Sequence, residues 1–75
     1  MTLFWLSFAD ESGSLGVAVV ECEGDTIIDA VLEARRRGCN PGGEVLGSVI
    51  DHFPLSLRNR LLAPDEARAI AKGLQ

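Results

Sequence analysis

Nucleophilic catalysis needs an activated serine, threonine or cysteine beside a base, and this chain offers few such pairs. Its single histidine is His52, and its two cysteines, Cys22 and Cys39, lie far from it and from each other in sequence. No local signature surrounds either cysteine, so Cys22 reads as a packed strand residue and Cys39 as a small, partly buried loop residue. Two cysteines and one histidine also fall short of the paired four-ligand pattern of a structural zinc site. No metal or other cofactor is expected. Adjacent carboxylates occur at Asp10-Glu11 and Asp65-Glu66, in a turn and a first helical turn, where acids serve local geometry. A hydrolase is the weakest of the readings, and the chain is expected not to be an enzyme.

Binding chemistry has better candidates. Gly38-Cys39-Asn40-Pro41-Gly42-Gly43-Glu44-Val45 packs three glycines and a proline into eight residues. Consecutive N–H groups in such a turn can form a concave nest for an anion. No Gly-Lys-Ser/Thr follows, and the stretch leads from helix into strand, so it is not a phosphate loop. A tight connector explains one capping glycine; Asn40, Gly42, Gly43 and Glu44 are more polar and backbone groups than that requires. A second cluster, Arg58-Asn59-Arg60, sits between leucines. Arginine suits bidentate recognition of phosphate or carboxylate, and equally suits pairing with the chain's own acids. Trp5 offers a stacking platform for a base, or is a core or interface residue. The candidate ligand set is therefore Trp5, Asn40, Gly42, Gly43, Glu44, Arg58, Asn59 and Arg60.

These residues must be positioned by one small domain of 75 residues. A chain of this length buries roughly 60% of its unfolded surface, which leaves a marginal core unless something supplements it. The apolar start Leu3-Phe4-Trp5-Leu6 is broken by Ser7 and followed by acids, so neither a leader nor a membrane span is expected. The expected compartment is the cytoplasm, with reduced thiols. Hydrophobic content of 47% in so short a chain then points to a homo-oligomer. A net charge of −4 and a pI near 4.7 argue against nucleic acid as a partner, since that binding rests on clustered cations. Arg35-Arg36-Arg37 is such a cluster, but it complements the C-terminus of a helix.

In order, Leu3 to Ala9 reads as a strand apolar on both faces, and Leu15 to Cys22 as a second, joined by a loop of about five residues. Gly16 marks a bulge or a close approach. Thr26 or Asp25 caps a helix over about residues 26 to 37, with Asp29 completing a capping box and Gly38 as its left-handed end. Glu44 to Asp51 reads as a third strand, and Leu55 to Leu62 as a helical turn or packed loop. Pro64-Asp65-Glu66 starts a second helix with an apolar face of Ala67, Ile70, Ala71 and Leu74. The strand-helix-strand passage makes the second and third strands parallel, so the expected fold is α+β: a three-stranded sheet of order 2-1-3 in a β-β-α-β-α arrangement. This is half of a ferredoxin-like layout, with one helix on one face and a C-terminal helix. The second apolar face then calls for the C-terminal segment or another subunit.

Leu-Gly-Val-Ala-Val-Val-Glu, the helix ending Arg-Arg-Gly, the motif G-x-N-P-G-G-E-V at Gly38 to Val45 and Arg-Asn-Arg-Leu-Leu together resemble a group of small proteins encoded in phage and mobile-element genomes. The likeness spans Trp5 to about Glu66 and is most specific at Asn40 to Val45. It implies a small accessory protein acting in a bacterial host's cytoplasm. By analogy of size and setting, it suggests a phage anti-defence sponge that sequesters an anionic, nucleotide-like molecule without cleaving it. The alternative is a protein-protein interaction module that uses an apolar sheet face or an edge strand to inhibit or adapt a host or phage protein.

Overall fold

The computed structural model describes residues 1–73. The first hairpin pairs β1 (Thr2–Asp10) with β2 (Gly13–Cys22) in antiparallel register from Thr2↔Cys22 to Asp10↔Gly13. Only Glu11 and Ser12 lie between the strands, so the turn is tighter than the expected loop of about five. Asp10 makes this possible by accepting from the Ser12 backbone N–H (2.8 Å) and the Ser12 hydroxyl (2.6 Å), a local bond that replaces a longer loop. Pairing passes from Ala9↔Ser14 to Phe8↔Gly16, leaving Leu15 as an extra residue in a bulge beside Gly16.

Helix α1 (Ile27–Arg36) starts at the expected capping box. Asp29 N–H donates to the Thr26 hydroxyl oxygen (3.1 Å), and the Asp29 carboxylate accepts from the Thr26 N–H (3.3 Å). It stops in a Schellman arrangement, with Cys39 N–H donating to the Ala34 carbonyl and Gly38 N–H to that of Arg35. β3 (Glu44–Ile50) then pairs antiparallel with β1, from Leu3↔Ile50 to Ala9↔Glu44. Strands β2 and β3 thus run parallel on either side of β1, as the connection required.

A fourth strand extends the expected three. After a 3-10 turn at Leu55–Leu57, β4 (Leu61–Leu62) pairs with β2 through Val17↔Leu62 and Ala18↔Leu61, giving the order β3-β1-β2-β4. At two residues, β4 carries no periodicity of its own. It exists because Gly16 leaves room: a Cβ there would lie 2.9 Å from the Leu62 carbonyl oxygen and 2.8 Å from a Leu61 methyl.

Both faces of β1 are covered. Phe4, Leu6 and Phe8 share one face with Ala18, Val20 and Cys22, and Ala30 and Ala34 of α1 pack on it. Alanines at the contact let the helix lie close, and the three large side chains are at most 1% exposed. Burying each contributes about 1.5–3 kcal/mol. On the opposite face Leu3, Val17 and Val19 meet Phe53, Leu62 and Ala67, the last from α2 (Pro64–Gly73), with Trp5 and Ile70 packed at the margin. The face expected to call for the C-terminal segment or another subunit is therefore closed by the chain's own tail. Leu74, expected on the apolar side of α2, lies outside the described residues.

Gly16 also has φ +135°, a conformation that costs a side chain about 1–3 kcal/mol. Gly16→Ala is expected to lower unfolding free energy by at least that amount, read from urea denaturation. A stability equal to the parent chain's would show that β4 does not press on β2 as described.

Candidate functional site

The glycine loop is built by three local devices. Gly38 takes φ +80° to end α1, Asn40 Oδ1 accepts from Gly42 N–H at 2.8 Å, and Gly42 and Gly43 take φ +93° and +76°. Gly43 lies against β1, where a Cβ would come within 2.4 Å of the Ala9 carbonyl oxygen. The hollow beside it, about 390 Å³, is lined by Asp10, Glu11 and Glu44 as well as Gly43. Ser12 already holds the Asp10 carboxyl below its ordinary pKa, so it stays ionised. An anion approaching the Gly42-Gly43 amides meets these carboxylates.

Arg58-Asn59-Arg60 lies elsewhere and is occupied. Arg58 donates through Nε to the Phe53 carbonyl (2.8 Å) and through a terminal nitrogen to Glu21 Oε1 (3.0 Å), with both ion-pair side chains about three-quarters buried. Asn59, at φ +62°, donates its N–H to the Val19 carbonyl (2.7 Å), and its Oδ1 accepts from Glu21 N–H (3.2 Å). Together they fasten the 53–60 segment to the edge of β2. Arg60 is exposed and reaches the Ser56 carbonyl at 3.5 Å. Glu21 pairs with Leu3, near one end of β1, and Glu44 with Ala9, near the other. Six residue steps along β1, about 20 Å, separate them. The structure does not bring Asn40, Gly42, Gly43 and Glu44 together with Arg58, Asn59 and Arg60.

Trp5 stands apart from the glycine loop, in a cleft between α2 and the strands, and shares Phe53 and Val19 as neighbours with the Arg58-Asn59 segment. Its ring meets Phe53 edge-on, with centroids 6.0 Å apart and planes at 82°. Two adjoining hollows of about 360 and 390 Å³ flank it. Ser7, Ser14 and Arg68 line the first; Ser48, Arg68 and Lys72 line the second. Arg68 is exposed. Its Nε donates to the Pro64 carbonyl at 3.3 Å, and its nearest carboxylate, the fully exposed Asp65, is 3.6 Å away. Trp5 and Arg68 thus border both hollows, with Ser7 and Ser14 beside the first and Ser48 and Lys72 beside the second. Comparison with family models, curated proteins and solved structures returns no match for the chain. The site is read from its own geometry.

The sequence reading missed Arg68, Lys72 and the three serines. A signal existed in part: Arg68 and Lys72 stand four apart, on one face of α2. The serines acquire meaning only when Ser7 on β1, Ser14 on β2 and Ser48 on β3 come to line the hollows beside α2. The remaining polar hollow, about 410 Å³, lies between α1 and the end of β2. Its arginines are engaged, because Arg36 and Arg37 both bind Glu33 and hold its carboxyl down to about 2.

The thiols offer little chemistry. Both are free and buried, and Cys39 Sγ donates to the Ala34 carbonyl at 3.6 Å. Burial pushes the Cys39 thiol up from its ordinary value, which keeps it protonated and poorly nucleophilic. Among the described residues, no group of three or more His, Cys, Asp or Glu side chains is placed to hold a metal ion. None of the described helices is long and apolar enough to cross a membrane.

Two expectations follow. Arg58→Ala leaves Glu21 unpaired and frees the Phe53 carbonyl, and is expected to cost about 1–3 kcal/mol in denaturant unfolding; a loss below that range would mean Arg58 does not fasten the segment. Glu33 has a folded pKa of about 2 against an ordinary 4.5, so its contribution is complete above the higher value and lost as pH falls through the lower one. The difference in Tm between the parent chain and Glu33→Gln should be constant above pH 4.5, shrink below it, and vanish near pH 2. A difference independent of pH would show that the carboxylate is not what matters.

Proposed function

We propose that this protein is a non-enzymatic binding protein that holds an anionic, nucleotide-like small molecule in the cleft between α2 and strands β1 and β3, and acts by sequestering it. The observation that carries this reading is that Trp5 and Arg68 line both hollows, with Lys72 beside the second. Each part has a chemical counterpart in such a ligand. A base stacks on an indole face, a phosphate accepts paired hydrogen bonds from a guanidinium, and an ammonium adds charge without directional demand. Serine hydroxyls complete the polar wall. Sequestration needs no nucleophile, and both thiols lie in the core. The likeness to phage-encoded proteins gives this activity a setting, the cytoplasm of an infected bacterium, where removing a signalling nucleotide would act as anti-defence.

The second reading, a module that captures a host or phage protein, is favoured by one feature, the open edge of β3 with exposed Leu46 and Val49.

Trp5 is the chain's one tryptophan, so its emission reports on the cleft directly. Titration with an adenine mononucleotide and with a cyclic dinucleotide should produce a saturable change for at least one of them. Arg68→Glu should weaken that binding by roughly tenfold or more, since a hydrogen bond to a charged group contributes about 1.5–3 kcal/mol. Native mass spectrometry of gently purified protein should show an added mass that denaturation releases. Flat titrations together with a bare native mass would sink the ligand reading.

A further inference from the structure

The edge of the sheet at β3 is unusually open. β3 pairs with β1 on one side and, among the described residues, with no strand on the other. It is seven residues long and carries none of the devices that blunt an edge, having neither lysine nor proline and a single charge, Glu44, at its end. Two of its aliphatic side chains face solvent, Leu46 at 79% and Val49 at 61% exposure. Helix α1 also presents Ile28 and Leu32, exposed by 71% and 57%. Their placement follows from the helix. Glu33 and Arg36 on one flank face the end of β2, while Ile27 packs against Gly47 of β3. Ile28 and Leu32 lie roughly 100° and 140° further round from Ile27, on the outer side of the helix, and Val31 is the residue beside Ile27 on the flank toward the open edge.

We propose that a second copy of this chain covers that edge, with two β3 strands pairing antiparallel about a two-fold axis at Gly47 to make one eight-stranded sheet. The side-chain pattern of β3 is self-complementary about that residue. Val45, Gly47 and Val49 face α1, since they oppose Phe8, Leu6 and Phe4; Leu46, Ser48 and Ile50 face α2, opposing Ser7, Trp5 and Leu3. Pairing about Gly47 sets Val45 against the partner's Val49 on the α1 side, where half-buried Ile27 and Val31 border the seam. On the other side it sets Ser48 against the partner's Leu46. The two Glu44 carboxylates fall at opposite ends of the ladder, about 20 Å apart, so like charges do not meet. The open edge is about 24 Å long, and with the near flank of α1 the patch comes to at most about 500 Å² per copy, or about 1,000 Å² in total, the size of a weak and reversible interface.

One consequence rests on the ligand reading above. Ser48 and Ile50 line the outer hollow of the Trp5 cleft, so the partner's Leu46 would wall its open side. The site would then be complete only in the dimer.

The test is sedimentation of the full chain from roughly 1 to 500 µM, a span matched to a modest interface. A reversible dimer is expected. Leu46→Lys and Val49→Lys alter exposed side chains, leave the far-UV spectrum unchanged, and should each weaken dimerisation at least about tenfold. Leu55→Lys changes a 75% exposed residue outside the edge and should have no effect. Register is read by mixing Leu46→Cys chains with Ser48→Cys chains under mild oxidation; the mixed disulfide should form several-fold faster than either self-disulfide, with both native thiols buried. A chain that stays monomeric throughout overturns the proposal, as does a dimer that survives both lysine variants or a monomer that pairs β3 with a foreign protein instead. Trp5 titration of the same samples separates the two readings: a dimer that binds no nucleotide upholds the interface, and a monomer that binds one upholds only the cleft.

Discussion

Strand β1 is buried from both sides, and that constraint shapes everything around it. Phe4, Leu6 and Phe8 point one way, Leu3 and Trp5 the other. A strand apolar on both faces is stable only in the middle of a sheet with a layer above and a layer below. Two neighbouring strands supply the lateral hydrogen bonds, α1 covers one face, and α2 with Phe53 and Leu62 covers the other. In 73 described residues there is no surplus segment for any of these tasks. This explains the short connections and the absence of buried polar or charged residues from the core.

The polar residues that stand out in the sequence are largely fasteners for this arrangement. Asp10 closes the hairpin turn, Thr26 and Asp29 start α1, Glu33 ties down Arg36 and Arg37, and Asn40 bends the loop into β3. Arg58 and Asn59 do the most demanding work. They hold the segment after β3 against β2, so that β4 can pair and α2 can lie across the second face. A guanidinium bound to a carbonyl and a carboxylate is poorly placed to receive a ligand as well. Arg68 also reaches a carbonyl and a carboxylate, at 3.3 and 3.6 Å, but both belong to the first turn of its own helix and the pair is exposed, so it fastens no other segment and borders a cleft with an aromatic wall.

Electrostatics sorts the surface further. The chain is acidic overall, and the glycine loop lies beside three of its carboxylates. Backbone amides alone do not make an anion site when the surrounding field is negative. A cleft carrying Arg68 and Lys72 departs locally from the global balance, which is what selective capture of an anion by an acidic protein requires.

Much of the fold was legible in the sequence because it rests on local rules. The two-sided apolarity of residues 3–9, the capping box at Thr26 and Asp29, the terminal Gly38 and the Pro64 helix start each state their element within a few residues of chain. The 2-1-3 arrangement of the first three strands followed from an antiparallel hairpin and a strand-helix-strand connection that makes its two strands parallel. Strand β4 was not legible, because two residues have no period and Leu61–Leu62 becomes a strand only where Gly16 admits its backbone. The candidate site divided for the same reason. Residue type marks Arg58, Asn59 and the glycine loop as capable of binding, but capability is spent where tertiary contacts already satisfy the groups. Trp5 was visible as a platform, whereas its companions come from three strands and a helix. The sequence alone determined which segments must be buried, where both α-helices begin and where the first one ends, since those depend on neighbours in the chain. Only the tertiary structure decided which polar groups remain unspent, since that depends on partners brought in from 37 to 40 residues away, as Glu21 and Val19 are for Arg58 and Asn59.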